Sequence, residues 1–430
     1  MPIRLDTRAA DFAASFKAFL GSKRESLEDV EQAVRAIIAD VIDRGDRALI
    51  ELTKKFDGFD PEQAGLKVAP GEIDTAARSC DRATLAALEL ARDRIEAFHR
   101  RQVPHDERFS DAMGVELGAR WTAIEAVGLY VPGGTAAYPS SVLMTAVPAR
   151  VAGVPRLVMA VPAPAGHLSP LVLAAAKLAG VDEIYRIGGA QAVAALAYGT
   201  ESITAVAKIV GPGNAYVAAA KRLVFGTVGI DMIAGPSEVL IIADRGANPD
   251  WIAADLLAQA EHDVAAQAIL VTDDAALAAA VEAAVERQLP ALARGPVARS
   301  AWRDHGAVIL VRNLDESVPL VDALAPEHLE IETADAERLA ARIRNAGAIF
   351  IGHHTPEAIG DYVAGSNHVL PTARSARFSS GLGVLDFMKR TSILKLGADQ
   401  LRALGPAAIA LGQAEGLDAH ARSVAIRLNR

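Results

Sequence analysis

The chain has 430 residues, a formal net charge of −9 and a hydrophobic content of 51%. This length suffices for roughly two to four domains with buried cores, and an acidic chain without a basic run is not expected to bind nucleic acid. The single cysteine, Cys80, excludes an intrachain disulfide and a cysteine-cluster zinc site, so a bound metal must use His, Asp, Glu or Gln.

The hydrophobic content does not predict a membrane protein. The most apolar stretch, residues 142–166, is interrupted by Arg150, Arg156 and four prolines, whereas a spanning helix needs about 20 continuous apolar residues. The N-terminus, MPIRLDTRAADF, carries charges early and has no signal-peptide apolar core. We therefore expect a soluble cytoplasmic protein without a membrane partner.

The first hundred residues are predicted to be helical. Val34, Ile37 and Val41 recur at helical spacing, and a second helix over residues 81–100 carries Leu88 and Ile95 on one face. The stretch contains no chemically suggestive cluster, so we expect it to serve packing and oligomer contacts.

From residue 127 onward, short apolar runs alternate with alanine-rich helical segments, which is typical of parallel βαβ units. The predicted strands are 128–131, 156–161, 183–187, 205–210, 239–243, 268–272, 307–311, 329–333 and 348–352. The predicted helices are 171–179, 190–198, 215–225, 250–262, 274–287, 315–324 and 335–345. After residue 386 the chain is predicted to return to helix, over 398–404 and 406–414.

Three glycine-rich turns follow strands in the first α/β block: PGG at 132–134, GGAQ at 188–191 and GPGN at 211–214. Open α/β sheets bind ligands at the carboxyl ends of their strands, and such turns before helices can receive phosphate. None of the three is a GxGxxG fingerprint. From spacing alone, they are either a dinucleotide site or ordinary βα turns.

Four further segments carry side chains suited to chemistry. Gln259 and His262 lie three apart on one helix face, and Glu327 with His328 could divide general-base work between a carboxylate and an imidazole. The other two pairs are Asp361 with His368 and Glu415 with His420. Each pair alone could be a polar helix end or a solvated loop. Together they supply nitrogen and oxygen donors for zinc and a separate acid–base pair.

The motifs in order resemble the histidinol dehydrogenase family from about residue 127 to residue 420. The blocks that carry the resemblance are GLYVPGG, YPSSVLM, GGAQAVAALAYGT, KIVGPGNAYV, DMIAGPSEVLIIAD, QAEHD, APEHLEI, GDYVAGSNHVLPT and AEGLDAH. The resemblance implies an NAD-dependent oxidation of L-histidinol through L-histidinal to L-histidine, in histidine biosynthesis, by an intertwined homodimer. It also implies an α/β fold with two incomplete Rossmann-like, parallel-sheet domains and small helical N- and C-terminal extensions.

The resemblance implies roles for individual residues as well. One zinc ion per subunit would be held by Gln259, His262, Asp361 and His420, with His420 supplied by the partner subunit. NAD would contact Tyr130, Gln191 and Asn214. Substrate would contact Ser237, His328, His368 and Glu415 as well as the zinc ligands. The implied domains are an N-terminal extension (1–24), a zinc and catalytic domain (25–128 with 240–381), an NAD-binding domain (129–239) and a dimerisation tail (382–430).

The chemistry expected from these residues has two stages. His328 carries an imidazole, which can take the alcohol proton as the hydride leaves. Glu327 is the candidate for activating the water that hydrates the aldehyde. Zinc would anchor the substrate and orient it rather than activate water. A thiohemiacetal route is not expected, because Cys80 lies in a helical stretch far from every motif. The six histidines outside the motifs are interpreted as structural or surface residues.

The sequence leaves three alternatives to histidinol oxidation. A paralogue could use the same zinc and NAD machinery on another small alcohol, but His368 and Glu415 favour histidinol. A zinc hydrolase would use Glu327 to activate zinc-bound water and would need no NAD. A non-catalytic binding protein would account for the fold but not for the assembled donor and acid–base residues.

Overall fold

The structure is a computed structural model of the chain, and it describes residues 2–22, 28–133 and 138–429. In chain order, the strands are β1 (Ile3–Asp6), β2 (Glu107–Ser110), β3 (Glu116–Ala123), β4 (Ala126–Tyr130), β5 (Arg156–Ala160), β6 (Glu183–Tyr185), β7 (Lys208–Val210), β8 (Gly229–Ile230), β9 (Glu238–Ala243), β10 (Gln267–Thr272), β11 (Ala307–Leu310), β12 (His328–Glu332), β13 (Ala348–Ile351) and β14 (Met388–Lys395).

The helices are α1 (Phe12–Gly21), α2 (Glu28–Arg44), α3 (Asp46–Asp57), α4 (Pro61–Ala64), α5 (Pro70–Ser79), α6 (Arg82–Arg100), α7 (Pro139–Val151), α8 (Pro170–Leu178), α9 (Gly189–Tyr198), α10 (Ala215–Val224), α11 (Pro249–Ala260), α12 (Ala275–Gln288), α13 (Gly295–His305), α14 (Ser317–Leu324), α15 (Ala336–Ala340), α16 (Glu357–Tyr362), α17 (Ala398–Ala414) and α18 (Asp418–Ala425).

Two parallel sheets organise the molecule. The larger sheet has six strands in the order β1-β11-β10-β9-β12-β13, and the smaller has five in the order β6-β5-β4-β7-β8. Every residue of β9 and β10 is buried, as expected for strands covered by helices on both faces. The prediction of an α/β fold with parallel sheets is confirmed.

Two strands, β1 and β14, lie in the terminal segments that were predicted to be helical. β1 joins the edge of the larger sheet, pairing Ile3 with Ala307, so residues 1–24 contain a strand as well as α1. β14 pairs with β3, and β3 with β2, in a small antiparallel sheet. These strands are short or charged, and β1 and β14 find partners far away in the chain, so local periodicity did not indicate them. In the tail, α17 runs continuously through Pro406 rather than breaking there.

The N-terminal helices pack against the smaller sheet, and the grouping of residues 25–128 with 240–381 into one domain stays a prediction. Val34 and Ile38 of α2 share a core with strands and helices of the smaller sheet. Leu88 and Ile95 of α6 join the core on its other side. The smaller sheet needs both faces covered, and these helices contribute to that cover. The buried apolar side chains of segment 28–100 therefore share their hydrophobic cores with side chains from residues 126–230.

Helix α7 was also missed, although all its residues from Ser141 to Ala149 are buried. Pro148 lies inside this helix, and a proline in that position normally argues against a helix. Within the described ranges, the structure has no helix with both the length and the hydropathy that a membrane crossing needs.

Candidate active site

A cleft of about 440 Å³ lies between opposite edges of the two sheets. On one side, β4 and β7 end at Tyr130 and Val210, so the smaller sheet presents its carboxyl edge. On the other, β9 and β12 begin at Glu238 and His328, so the larger sheet presents its amino edge. The lining residues include Tyr130, Gly133, Ser141, Asn214, Asp231, Ser237, His262, Glu327, His328, Asp361 and His368.

The carboxyl edge is shaped by a clamped glycine turn. Gly211 has φ +111°, and a Cβ there would collide with the carbonyl oxygen of Tyr130, so only glycine fits. Lys221 Nζ donates to the Gly211 carbonyl at 2.9 Å and forms an ion pair with Asp231. Asp231 Oδ2 in turn accepts from the Gly211 N–H at 2.8 Å. The Lys221 and Asp231 side chains are 2% and 1% exposed, so the turn is fixed by a buried ion pair.

Two of the three residues predicted to contact NAD line the cleft. The Tyr130 hydroxyl accepts a hydrogen bond from Gly189 N–H at 3.0 Å, and burial raises the pKa of Tyr130 to about 12. Asn214 caps α10, its Oδ1 accepting from the N–H groups of Tyr216 and Val217 at 3.1 and 3.2 Å. Gln191 is buried in the first turn of α9 and does not line the cleft. Residues 134–137 of the first glycine motif lie outside the described residues.

The amino edge carries the predicted acid–base pair. Glu327 Oε2 accepts from the Glu238 N–H at 2.9 Å, and burial raises the pKa of Glu327 to about 7. His328 Nδ1 lies 3.0 Å from the Glu238 carbonyl oxygen, so Nδ1 is the nitrogen that carries a hydrogen. Nε2 lies 3.5 Å from Asp361 Oδ1. In the neutral imidazole, the Nε2 lone pair is therefore the one available as a base.

Carboxylates surround the His328 ring. Its Nδ1 lies 3.7 Å from Glu327 Oε2 and 3.8 Å from Glu357 Oε2. Burial acts to lower the pKa of His328, but the negative charges of Glu357, Glu327 and Asp361 outweigh it and raise that pKa well above its usual value. The imidazolium form of His328 is thus stabilised at the end of a proton transfer.

The residues predicted to hold zinc include an unsatisfied buried amide. Gln259 is fully buried, and neither its Oε1 nor its Nε2 has a hydrogen-bond partner. A buried polar group without a partner is costly, and coordination to a metal would satisfy its oxygen. His262 and Asp361 line the same cleft. Burial lowers the pKa of His262, which favours the neutral ring that can bind a metal. These donors fit a zinc ion held by nitrogen and oxygen.

His368 is fixed by contacts on both ring nitrogens. Nδ1 donates to the Asp361 carbonyl at 3.0 Å, and Nε2 lies 3.4 Å from Ser141 Oγ. Burial lowers the pKa of His368, favouring the neutral ring. Ser141 was not singled out from the sequence, although it lies in the YPSSVLM motif. Lys221, Asp231 and Glu357 were likewise missed, because the sequence around them gives no signal of a shared cleft.

The tail residues are not part of their own chain's cleft. Glu415 follows α17 and His420 lies in α18; both are exposed, and neither lines the cleft. The remaining predicted substrate contact, Ser237, lies in the cleft directly before β9. Cys80 caps α5 and is directed toward the Ala76 carbonyl, with Sγ at 3.3 Å, outside the cleft.

Together the fold and the cleft define a parallel α/β enzyme with a buried acid–base pair beside a nitrogen and oxygen donor set. The family model described as histidinol dehydrogenase matches residues 21–428, and the chain belongs to this family. The predicted family is confirmed, and with it an oxidoreductase of histidine biosynthesis.

Relatives match over the whole length. Histidinol dehydrogenases of Nitrobacter winogradskyi and Rhodopseudomonas palustris are 74% and 70% identical, with 100% of this chain and 100% of each relative covered. A solved structure of histidinol dehydrogenase from Elizabethkingia anophelis superposes with a TM-score of 0.95 at 35% identity, covering 100% of this chain and 98% of that one.

Proposed function

We propose that this chain oxidises L-histidinol through L-histidinal to L-histidine, using NAD⁺ and one zinc ion per subunit. The observation that supports this most is the convergence of two sets of residues in one cleft. Glu327 and His328 lie beside Asp361 and His262 on one side, and Tyr130 lies on the other side. The runner-up, a related dehydrogenase of another small alcohol, would use the same residues.

The proposed zinc site draws on Gln259, His262 and Asp361 of one chain and His420 of a second. When bound, the zinc ion supplies a positive charge that holds the imidazole and amine of the substrate. Ser237 and His368 in the cleft, and Glu415 from the second chain, would hold the rest of the substrate by hydrogen bonds and charge. The unpaired amide of Gln259 supports this assignment from this chain's own residues.

We assign the proton transfers to His328 and Glu327. As the alcohol carbon loses a hydride, His328 Nε2 takes the hydroxyl proton and becomes an imidazolium flanked by carboxylates. Glu327 then takes a proton from water, which adds to the aldehyde carbon, and the hydrate gives up its second hydride with His328 again as base. When bound, NAD⁺ supplies the hydride acceptor for both oxidations.

The proposed NAD site lies on the carboxyl edge, within the segment 129–239. The Gly211 turn leads directly into the N-terminus of α10, where backbone N–H groups and the helix dipole favour a phosphate. Asn214 uses its Oδ1 for the cap, so a contact to NAD would come from its amide nitrogen. Gln191 and Tyr130 would complete the site from the first turn of α9 and the end of β4.

The proposed homodimer follows from the tail, residues 382–430. Leu394 is 63% exposed and Leu411 is 65% exposed, and Leu417 and Ile426 are also exposed, which leaves apolar surface for a second copy of the chain to cover. Because Glu415 and His420 do not line their own cleft, a crossing tail would bring them into the cleft of the other subunit. A cytoplasmic location, as expected from the sequence, suits such an NAD-dependent biosynthetic enzyme.

The activity is tested by measuring NADH formed per molecule of L-histidinol, before and after chelation. We expect two NADH per histidinol and loss of the reaction when the metal is removed. A panel of other small alcohols tests the runner-up: if one of them outperforms histidinol in kcat/KM, the substrate assignment is wrong.

The shared site is tested by mixing chains. Gln259→Ala and His420→Asn would each inactivate a homodimer, but a hybrid dimer of the two variants contains one intact site. We expect activity to reappear after the inactive variants are mixed and allowed to exchange subunits. If hybrid dimers form and stay inactive, each site is built from one chain.

A further inference from the structure

The larger sheet turns its amino edge to the cleft, so its carboxyl edge lies on the opposite side of the molecule. Parallel α/β sheets commonly bind ligands at their carboxyl edge, where the strand order reverses direction. Here that point lies between β9 and β12, because the chain continues from β9 to β10 on one side and returns to β12 on the other. A ligand site at this edge would draw on the end of β12.

An acidic cluster lies at this end of β12, on one face of the strand. Glu330 and Glu332 alternate with Leu329 and Ile331, which lie in the hydrophobic core on the other face. Asp255 of α11, Glu330 and Glu332 each have a carboxylate oxygen, and these oxygens all lie within 4.8 Å of one another. Glu330 and Glu332 are only 2% and 3% exposed. Three carboxyl groups thus converge on one small volume, and none of them lines the cleft.

The Glu332 carboxylate is buried without a hydrogen-bond partner on either oxygen, and its side chain is 4% exposed. Whichever of its oxygens faces Asp255 and Glu330 is therefore an unsatisfied acceptor directed into the cluster. Glu330 uses Oε1 to accept from the Glu357 N–H at 2.5 Å, but its Oε2 also has no partner. Buried acceptors of this kind are costly unless a donor or a cation satisfies them.

The electrostatics of the cluster agree with this accounting. Burial and the charge of Glu332 raise the pKa of Asp255 to about 7, and burial raises that of Glu332 to about 7. In its ionised form the cluster therefore destabilises the fold. A cation that binds the ionised carboxylates would remove this cost and stabilise the folded chain.

An imidazole lies at the exposed rim of the cluster. His353 follows β13, and its Nδ1 lies 3.5 Å from Glu332 Oε2. This nitrogen is buried and has no hydrogen-bond partner, whereas the His353 side chain as a whole is 32% exposed. Asp255 is also partly exposed. These two residues give an ion a route from solvent to the buried carboxylates.

We propose that Asp255, Glu330 and Glu332, with His353 at the rim, form a divalent-cation site suited to Mn²⁺. Carboxylate oxygens are preferred ligands of Mg²⁺, Ca²⁺ and Mn²⁺, and an added imidazole favours the transition metal among them. The ion ties α11, β12 and the segment after β13 together and neutralises their buried charge. The site uses none of the proposed zinc donors, and it does not depend on the proposed function.

The test measures Mn²⁺ binding to the full chain. Zinc is added first to fill the proposed catalytic site, and the electron paramagnetic resonance signal of free Mn²⁺ is followed as MnCl₂ is titrated in. We expect the wild type to bind one Mn²⁺ per chain. Glu332→Gln should bind it at least about tenfold more weakly, because even the loss of an outer-shell partner has an effect of this size. The amide has the shape of the carboxyl group, and circular dichroism checks that the fold is retained.

Thermal unfolding gives a second readout that does not involve activity. With Mn²⁺ at about a hundredfold excess over its dissociation constant, the unfolding midpoint of the wild type should rise by roughly 3 °C. The midpoint of Glu332→Gln should not respond to the same addition.

Two control variants locate the ion. Glu337→Gln removes the same charge from an exposed position on α15 and should keep both the Mn²⁺ binding and the rise in the unfolding midpoint. His262→Asn removes a proposed zinc donor from the cleft and should also keep both. Failure of the proposed function is distinct, because the wild type would then form no NADH from L-histidinol while still binding Mn²⁺.

Three outcomes would overturn the site. They are equal Mn²⁺ binding by the wild type and Glu332→Gln, a wild-type unfolding midpoint that does not respond to Mn²⁺, and loss of Mn²⁺ binding in His262→Asn. The first two would mean that shared protons neutralise the carboxyl groups, and the third would place the ion in the cleft. If Glu332→Gln does not fold, Asp255→Asn removes a ligand from a different element and is measured in the same way.

Discussion

The two edges that face the cleft contribute in different ways. The carboxyl edge of the smaller sheet offers backbone: the Gly211 turn, held by Lys221 and Asp231, and the start of α10. The amino edge of the larger sheet offers side chains that titrate or coordinate, above all Glu327 and His328.

Helix polarity explains this difference. Helices that follow parallel strands begin at the carboxyl edge, and their N-termini favour anions such as a pyrophosphate. At the amino edge, α11 ends at Ala260, shortly before His262, and a helix C-terminus favours a cation. One parallel architecture thus suits both the proposed phosphate site and the proposed metal site, because opposite edges of its sheets face the same cleft.

The largest effect is expected from His328→Asn on the amino edge. Loss of the base should lower kcat for both oxidations by about 10²- to 10⁴-fold, while NAD binding at the carboxyl edge stays unchanged. Steady-state kinetics with histidinol and with histidinal, together with NAD titration, measure this. His167→Asn, at an exposed histidine, is the control. A parallel loss of NAD affinity would mean that the two edges are not separable.

Glu327→Gln should divide the two oxidations. The amide can still accept the Glu238 N–H hydrogen bond but cannot take a proton from water, so aldehyde oxidation should slow by about 100-fold and alcohol oxidation far less. Measuring NADH formation separately from histidinol and from histidinal checks this. Equal losses in both would refute the division of labour between Glu327 and His328.

Asp231→Asn tests the carboxyl edge. It leaves Lys221 buried without its counter-charge, which should lower the free energy of unfolding by about 3 kcal/mol. KM for NAD should rise, because the Gly211 turn is released. Denaturant unfolding and NAD-dependent kinetics are the measurements. Asp250→Asn, which breaks an exposed ion pair with Arg287, should have almost no effect on either.

Asn214→Ala is the mildest change at this edge. Removing the cap of α10 should cost about 1 kcal/mol of stability and raise KM for NAD with little change in kcat. Asn248→Ala removes the corresponding cap of α11 and should cost a similar stability without the change in NAD affinity. Equal KM values in the two variants would show that Asn214 serves only the helix.

The sequence predicted the buried parallel strands well, because β9 and β10 are continuous apolar runs between turns. It missed β1 and β14, whose pairing partners lie hundreds of residues away. It did not indicate which sheet the N-terminal helices cover. An apolar helix face indicates that a partner exists but not which sheet supplies it.

The candidate site was only partly predictable. Glycine turns and His–carboxylate pairs are visible locally, but their convergence came from the family resemblance rather than from spacing. The alternation HLEIE indicates a strand with one polar face, and such a face is usually solvated. Asp255 of α11 and Glu357 of α16 lie against this face, and Glu330 and Glu332 are buried there.

The position of Cys80 has a consequence for how the enzyme tolerates its chemical surroundings. The chain's sole sulfhydryl lies at the end of α5, where burial raises its pKa, so it is a weak nucleophile and slow to react with peroxide. A reactive, low-pKa thiol at the site of aldehyde oxidation would be open to oxidants and alkylating agents. In the proposed mechanism imidazole and carboxylate do this work instead, so we expect the activity to resist oxidants and alkylating agents that attack thiols.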